Sequence, residues 1–129
     1  MKYMLTLFNE EADWSNSTPE DMRASMSSWD EYTKALRDSG AFVAGEGLSP
    51  SATATTIRLG EEPITTDGPY AETKEQLGGF YLIEVEDLDA ALEWGRRVPM
   101  PGGAVEVRPV MDHEQAGGSS EHSASGVAS

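Results

Sequence analysis

Three observations predict an α+β fold, with one antiparallel sheet carrying two helices on a single face. Strand-like and helix-like segments alternate along the chain as strand, helix, strands, strand, helix, strand. The two helical segments carry clear start and stop residues. The last strand-like segment alternates apolar and charged residues, as expected of a sheet with one covered face and one open face.

Lys2 to Phe8 is a short apolar run rich in strand formers, long enough for one buried strand. Thr18-Pro19-Glu20-Asp21 then announces a helix. Thr18 can accept from the exposed amides, Pro19 suits the first helical position, and the two acids favour the positive end of the dipole. Met22, Met26, Trp29, Thr33 and Leu36 follow at steps of four and three, which places them on one helical face. Gly40 suits the residue just past the helix end.

Ala41 to Leu48 and Thr53 to Leu59 read as strands on either side of a Gly/Ser/Pro break. Ile64 to Thr66 extends a hairpin ahead of the Asp67-Gly68-Pro69 turn. Phe80 to Glu86 is a further strand. Asp87 caps a second helix with Leu88, Ala91, Leu92 and Val98 inward, and Pro99 stops it. Ala104 to Val110 is the last strand, with Val105 and Val107 on one side and Glu106 and Arg108 on the other. This order is the split βαβ signature of a ferredoxin-like sandwich.

Composition limits the function classes. The chain has 129 residues, nine Lys and Arg against 23 Asp and Glu, and a formal net charge of −14. Length argues for one domain, since such domains commonly hold roughly 100–150 residues. The acidic balance excludes a general nucleic-acid binder, which needs cations facing phosphates, and disfavours adhesion to anionic membranes. With no cysteine and only two histidines, there is no thiolate nucleophile, no zinc–thiolate site and little material for a Ser-His-Asp triad. No apolar run approaches the roughly 20 residues of a membrane helix, so a soluble, cytoplasmic protein is expected. No cofactor is called for. The segment from Ala116 to Ser129 is nearly all Gly, Ser and Ala and is expected to be a flexible tail. His122 lies in that tail and His113 just past the last strand.

Two helices covering one face leave the other face of the sheet open. In the first strand both Tyr3/Leu5/Leu7 and Met4/Thr6/Phe8 are largely apolar. A second apolar face calls for a partner. A homodimer that closes two sheets face to face would cover it and enclose a cavity.

The densest stretch of unusual residues is Thr66 to Phe80. Asp67-Gly68-Pro69 demands a tight turn for local reasons, and Gly78-Gly79 lets the chain pass closely against another element. Alternatively, Asp67 sits at the mouth of the cavity as a general base or anchor, its carboxylate adjusted by desolvation. Glu106 and Arg108 either anchor a polar ligand or form a structural ion pair. Arg58 either reaches the same space or snorkels from an edge strand. Trp29, Tyr32 and Trp94 read as packing residues, and Trp14 falls in a polar loop that could act as a lid.

Three separated blocks occur in a telling order: TDGPYAETKEQLGGFYLIEV, then DLDAALEWGRRVP, then GGAVEVRPV. With the opening MKYMLTLFNEE, they resemble the DGPF-domain branch of the YCII-related family over roughly residues 1–112, leaving 113–129 as the tail. Tyr70 stands where that signature has Phe, which keeps the ring and adds a hydroxyl. The resemblance implies a dimeric α+β barrel, a superfamily that includes small-molecule isomerases, monooxygenases and dehalogenases. Relatives that use a His-Asp pair have no counterpart here, because no histidine falls in the expected sheet or helices. The resemblance also implies a setting beside extracytoplasmic-function sigma factors. The combined expectation is a homodimer that binds a small organic molecule and transfers a proton without a cofactor. Asp67 would be the base, Tyr70 a hydrogen-bond donor, and Arg58, Glu106 and Arg108 the substrate anchors. The competing expectation is a non-catalytic regulatory or ligand-sensing module linked to such a sigma factor.

Overall fold

A computed structural model describes residues 1–11 and 16–111. Trp14, His113, His122 and the expected tail at 113–129 lie outside these residues. Six strands and two long helices follow in the order β1 (Lys2–Asn9), α1 (Pro19–Ser39), β2 (Phe42–Gly47), β3 (Thr55–Arg58), β4 (Ile64–Asp67), β5 (Gln76–Glu84), α2 (Leu88–Arg96) and β6 (Ala104–Pro109). A short 3-10 turn, Ser51–Thr53, joins β2 to β3.

Four strands form the main sheet in the order β2-β5-β1-β6, and β3 and β4 form a separate two-stranded hairpin. Every pairing in the main sheet is antiparallel. β1 therefore lies between β5 and β6, and β5 lies between β1 and β2. Each βαβ unit is split by a strand from elsewhere in the chain, which is the ferredoxin-like α+β arrangement.

Local chemistry explains the helix ends. The Thr18 side chain accepts from the Asp21 amide while the Asp21 carboxylate accepts from the Thr18 amide, a reciprocal capping box with Pro19 in the first turn. Gly40 ends α1 at φ 84°, where a side chain would be strained, and its N–H donates to Leu36 and Arg37 carbonyls. Asp87 caps α2 by accepting from the Ala90 amide.

The core lies between the helices and one face of the sheet. Leu5, Leu36 and Ile83 are its largest fully buried side chains, joined by Tyr3, Leu7, Tyr32, Tyr81 and Ala91. Val105 and Val107 pack against this cluster, while Glu106 and Arg108 are exposed on the far side. Tyr32 donates to the Trp94 carbonyl at 2.8 Å and sets its ring edge-on to Tyr81 and Trp94, tying α1 to α2 and the sheet. Burial pushes the Tyr32 phenol well above its ordinary value, Tyr81 adds to the rise and Arg97 opposes it.

The structure corrects three expectations. Met22 and Met26, on the helical face shared with Leu36, are exposed, and Leu88 is exposed rather than inward. The buried residues of α1 are Tyr32 and Leu36, both in its second half. At 1.5 Å per residue α1 runs roughly 30 Å, which outreaches the core beneath it. The third concerns β5, which begins at Gln76 rather than Phe80, because Gly79 pairs with both Leu7 and Gly47 and so belongs to the sheet.

Candidate functional site

The Asp67-Gly68-Pro69 turn is built from the backbone outward. Gly68 adopts φ 105°, a conformation that side chains rarely tolerate. Its N–H donates to the Ala54 carbonyl at 2.7 Å, and its own carbonyl accepts from Thr56 Oγ1 at 2.7 Å. The turn is thereby stitched to the start of β3. Asp67 ends β4 opposite Thr55, is exposed, and borders a polar hollow of about 450 Å³ with Glu11, Ser51, Glu72, Lys74 and Gln76. Lys74 pairs with Glu10 at 3.3 Å, and Ser51 Oγ donates to Glu11 at 2.8 Å, so two charged residues of the first loop brace this hollow.

Tyr70 is 76% exposed and borders an adjoining, mainly apolar hollow of about 610 Å³ beside Phe8, Pro50, Thr56 and Leu77, which shares Ser51, Pro69, Thr73 and Gln76 with the first. The Arg58 guanidinium sits 5.3 Å from the Tyr70 ring centroid, a cation–π contact that joins β3 to the turn. On β6, Arg108 donates to both Glu106 carboxylate oxygens at 3.0 Å, and Thr6 of β1 donates to Glu106 at 3.3 Å.

The structure thus brings the expected residues together as two pairs, Arg58 with Tyr70 and Glu106 with Arg108. Among the described residues no hydrogen bond or ion pair joins one pair to the other, and neither pair borders the Asp67 hollow. Arg58 and Tyr70 belong to the hairpin side of the molecule, and Glu106 and Arg108 to the open face of the sheet. No group of three or more His, Asp and Glu positioned for a metal occurs among the described residues. No described helix is long and apolar enough to cross a membrane.

A third hollow, of about 510 Å³, lies on the opposite face of the sheet, under α1. Trp29 and Thr33 of α1 face Phe42, Gly47 and Tyr81 of the sheet across it, with Met100 at one side. Sequence reasoning did not single it out. The available signal was the Gly45-Glu46-Gly47 and Gly78-Gly79 pattern. A Cβ at Gly79 would lie 2.8 Å from the Glu46 carbonyl oxygen, and one at Gly45 only 2.6 Å from the Tyr81 ring. These glycines let the two strands and the tyrosine crowd together, as the close-passage reading of Gly78-Gly79 expects.

Fold and surface together define a small ferredoxin-like α+β protein with ligand-sized hollows on both sides of its sheet. Residues 1–114 match the YCII-related domain, and the chain belongs to that family. It is also similar to an uncharacterized protein of Rhizobium meliloti (strain 1021), 35% identical over 114 residues that span 85% of this chain and 92% of the relative.

Proposed function

We propose that the protein is a cytoplasmic homodimer of the DGPF branch that binds a small polar organic molecule between two facing sheets. The folded unit would be residues 1–112, with 113–129 a tail that the dimer does not need. The observation that carries this reading is the open face of the sheet. Met4, Phe80 and Leu82 are adjacent there by register, with Thr6, Glu106 and Arg108 beside them, and neither helix lies over them. A second copy covers such a face and gives the paired charges a drier surrounding in which to hold a polar ligand.

Within that assembly Asp67 is the general base and Tyr70 the hydrogen-bond donor. Arg58, beside Tyr70, anchors the polar groups of the substrate together with Glu106 and Arg108, which stand apart from the turn within one chain and so meet the same molecule only across the dimer, from the facing protomer. The reaction that fits is a proton transfer: the carboxylate takes a proton from an acidic C–H and returns it to a different atom, so atoms and electrons balance without a cofactor. The dimer is tested by light scattering at micromolar concentration, which should give twice the chain mass; a single-chain mass overturns it. The chemistry is tested by deuterium uptake from D2O into a panel of small oxo acids and lactones. Asp67→Asn should keep the fold and the dimer and abolish uptake, and uptake at the wild-type rate would remove Asp67 as the base.

One observation favours the competing reading, a regulatory module that contacts an extracytoplasmic-function sigma factor. Ile57, Leu59 and Ile64 of the hairpin are 58%, 83% and 59% exposed, an apolar edge suited to a protein partner. No uptake into any panel member, together with a stable complex with such a factor that Leu59→Asp dissolves, would decide for it.

A further inference from the structure

The polar hollow beside Asp67 and the apolar hollow beside Tyr70 are two ends of one groove. They share Ser51, Pro69, Thr73 and Gln76, so the Asp67-Gly68-Pro69 turn stands between them as a common wall. Both volumes, about 450 and 610 Å³, fall within the roughly 300–1,000 Å³ of small-molecule sites. The shared stretch is held in place by the protein itself. Gln76 Nε2 donates to the Ala71 and Thr73 carbonyls at 3.1 and 2.9 Å, and Ser51 Oγ donates to Glu11. Walls fixed in advance lower the ordering cost of binding.

The two ends accept different chemistry. Phe8, Leu48, Pro50, Tyr70 and Leu77 line the apolar end, and Leu48 and Leu77 are 49% and 43% exposed. An alkyl chain laid there takes this surface out of water, and each fully buried methylene strengthens binding about fourfold. At the polar end stand the carboxylates of Glu11, Asp67 and Glu72, and the one cation among the described lining residues, Lys74, is paired with Glu10. A carboxylate or phosphate brought to this end meets like charges at short range. A cation held there would pair with Asp67 and weaken it as a base. A neutral carbonyl group avoids both penalties. Lys74 has three N–H donors, and its bond to Glu10 leaves others to turn toward a carbonyl oxygen.

The strength of the base narrows the class further. A carboxylate is a weak base, so the C–H it attacks must be acidic, as one between two carbonyl groups is. We propose that the substrate of this site is a neutral carbonyl compound with an apolar tail, of the 3-oxo ester or 1,3-diketone class, and not an oxo acid. The tail lies against Leu48, Tyr70 and Leu77. The carbon between the two carbonyls faces Asp67, which removes one proton to leave the enolate; protonation of the enolate closes the cycle. This assignment rests on Asp67 as the base, as proposed above, while the groove itself is built by one chain.

The test is titration of the full chain with methyl 3-oxodecanoate, read by intermolecular NOEs and by deuterium uptake from D2O. Saturable binding is expected, with NOEs to Leu48, Tyr70 and Leu77. Methyl 3-oxobutanoate, shorter by six methylenes, should bind at least a hundredfold more weakly. The 3-oxodecanoate anion should bind at least tenfold more weakly than its ester. Leu48→Asn should narrow the first gap and Glu72→Gln the second. Absence of saturable binding overturns the proposal, as do equal affinities for the long and short esters. So does an anion, or a decylammonium ion, that binds as tightly as the long ester. Selective binding of the long ester without uptake upholds the ligand class and removes Asp67 as the base, which keeps the two failures apart.

Discussion

The main sheet and the β3–β4 hairpin are both antiparallel, yet they are held by different forces. Every strongly buried side chain of the strands belongs to β1 or β5, against which α1 and α2 pack. All four residues of β4 are exposed, as are three of the four in β3. The hairpin is held by its ladder, the two Gly68 hydrogen bonds and the Arg58–Tyr70 contact. Burial thus maintains the fold in one region, and the residues with the most accessible chemistry stand in the other. Mobile, functional segments are commonly drawn from such weakly buried elements.

Substitutions can break or sharpen this contrast. The largest effect is expected for Leu5→Ala, at the fully buried centre of the sheet, which should lower unfolding free energy by about 2–5 kcal/mol. Chemical denaturation measures this, and a loss as small as that of a hairpin mutant would remove the contrast. Tyr32→Phe should cost about 1 kcal/mol at neutral pH through the lost bond to Trp94. It also has a pH signature. The folded state holds the phenolic proton more tightly than the unfolded chain, so the Tyr32 contribution is complete below about pH 10 and is lost as pH rises beyond it. Wild-type stability should therefore fall more steeply above pH 10 than that of Tyr32→Phe. The smallest global effect is expected for Gly68→Ala. Its strain of about 1 kcal/mol falls on the turn, so amide exchange should quicken in β3 and β4 while the amides of β1 and β5 keep their protection.

The legible parts of the fold were those specified within a few residues. Thr18, Pro19, Asp21 and Gly40 set both ends of α1 through contacts inside a single turn. The alternation in β6 showed which of its residues face the helices, because a strand has only two faces. Helical periodicity placed Met22 and Met26 on the face of Trp29, but it could not report that the core stops short of them. The start of β5 was hidden for a related reason: Gly78 and Gly79 have poor strand propensity, and Gly79 is held in the sheet by its partners Leu7 in β1 and Gly47 in β2, while the register skips Gly78. For the candidate sites, the Asp67–Tyr70 turn stood out because its residues are adjacent in the chain. The cavity under α1 did not, since Trp29, Thr33, Phe42, Gly47 and Tyr81 meet only after the chain has folded.

The central place of β1 also has a consequence for how the chain is made. Leu5 pairs with Tyr81 on one side and with Val107 on the other. During synthesis the strand leaves the ribosome well before either partner exists. At about 5–20 residues per second, its apolar side chains and both rows of backbone groups wait several seconds for neighbours. The capped helix α1 can form early from local signals, but the sheet closes only when β6 arrives. A nascent chain interrupted before Ala104 presents β1 as a raw edge, the form of this protein most prone to pair with the wrong strand.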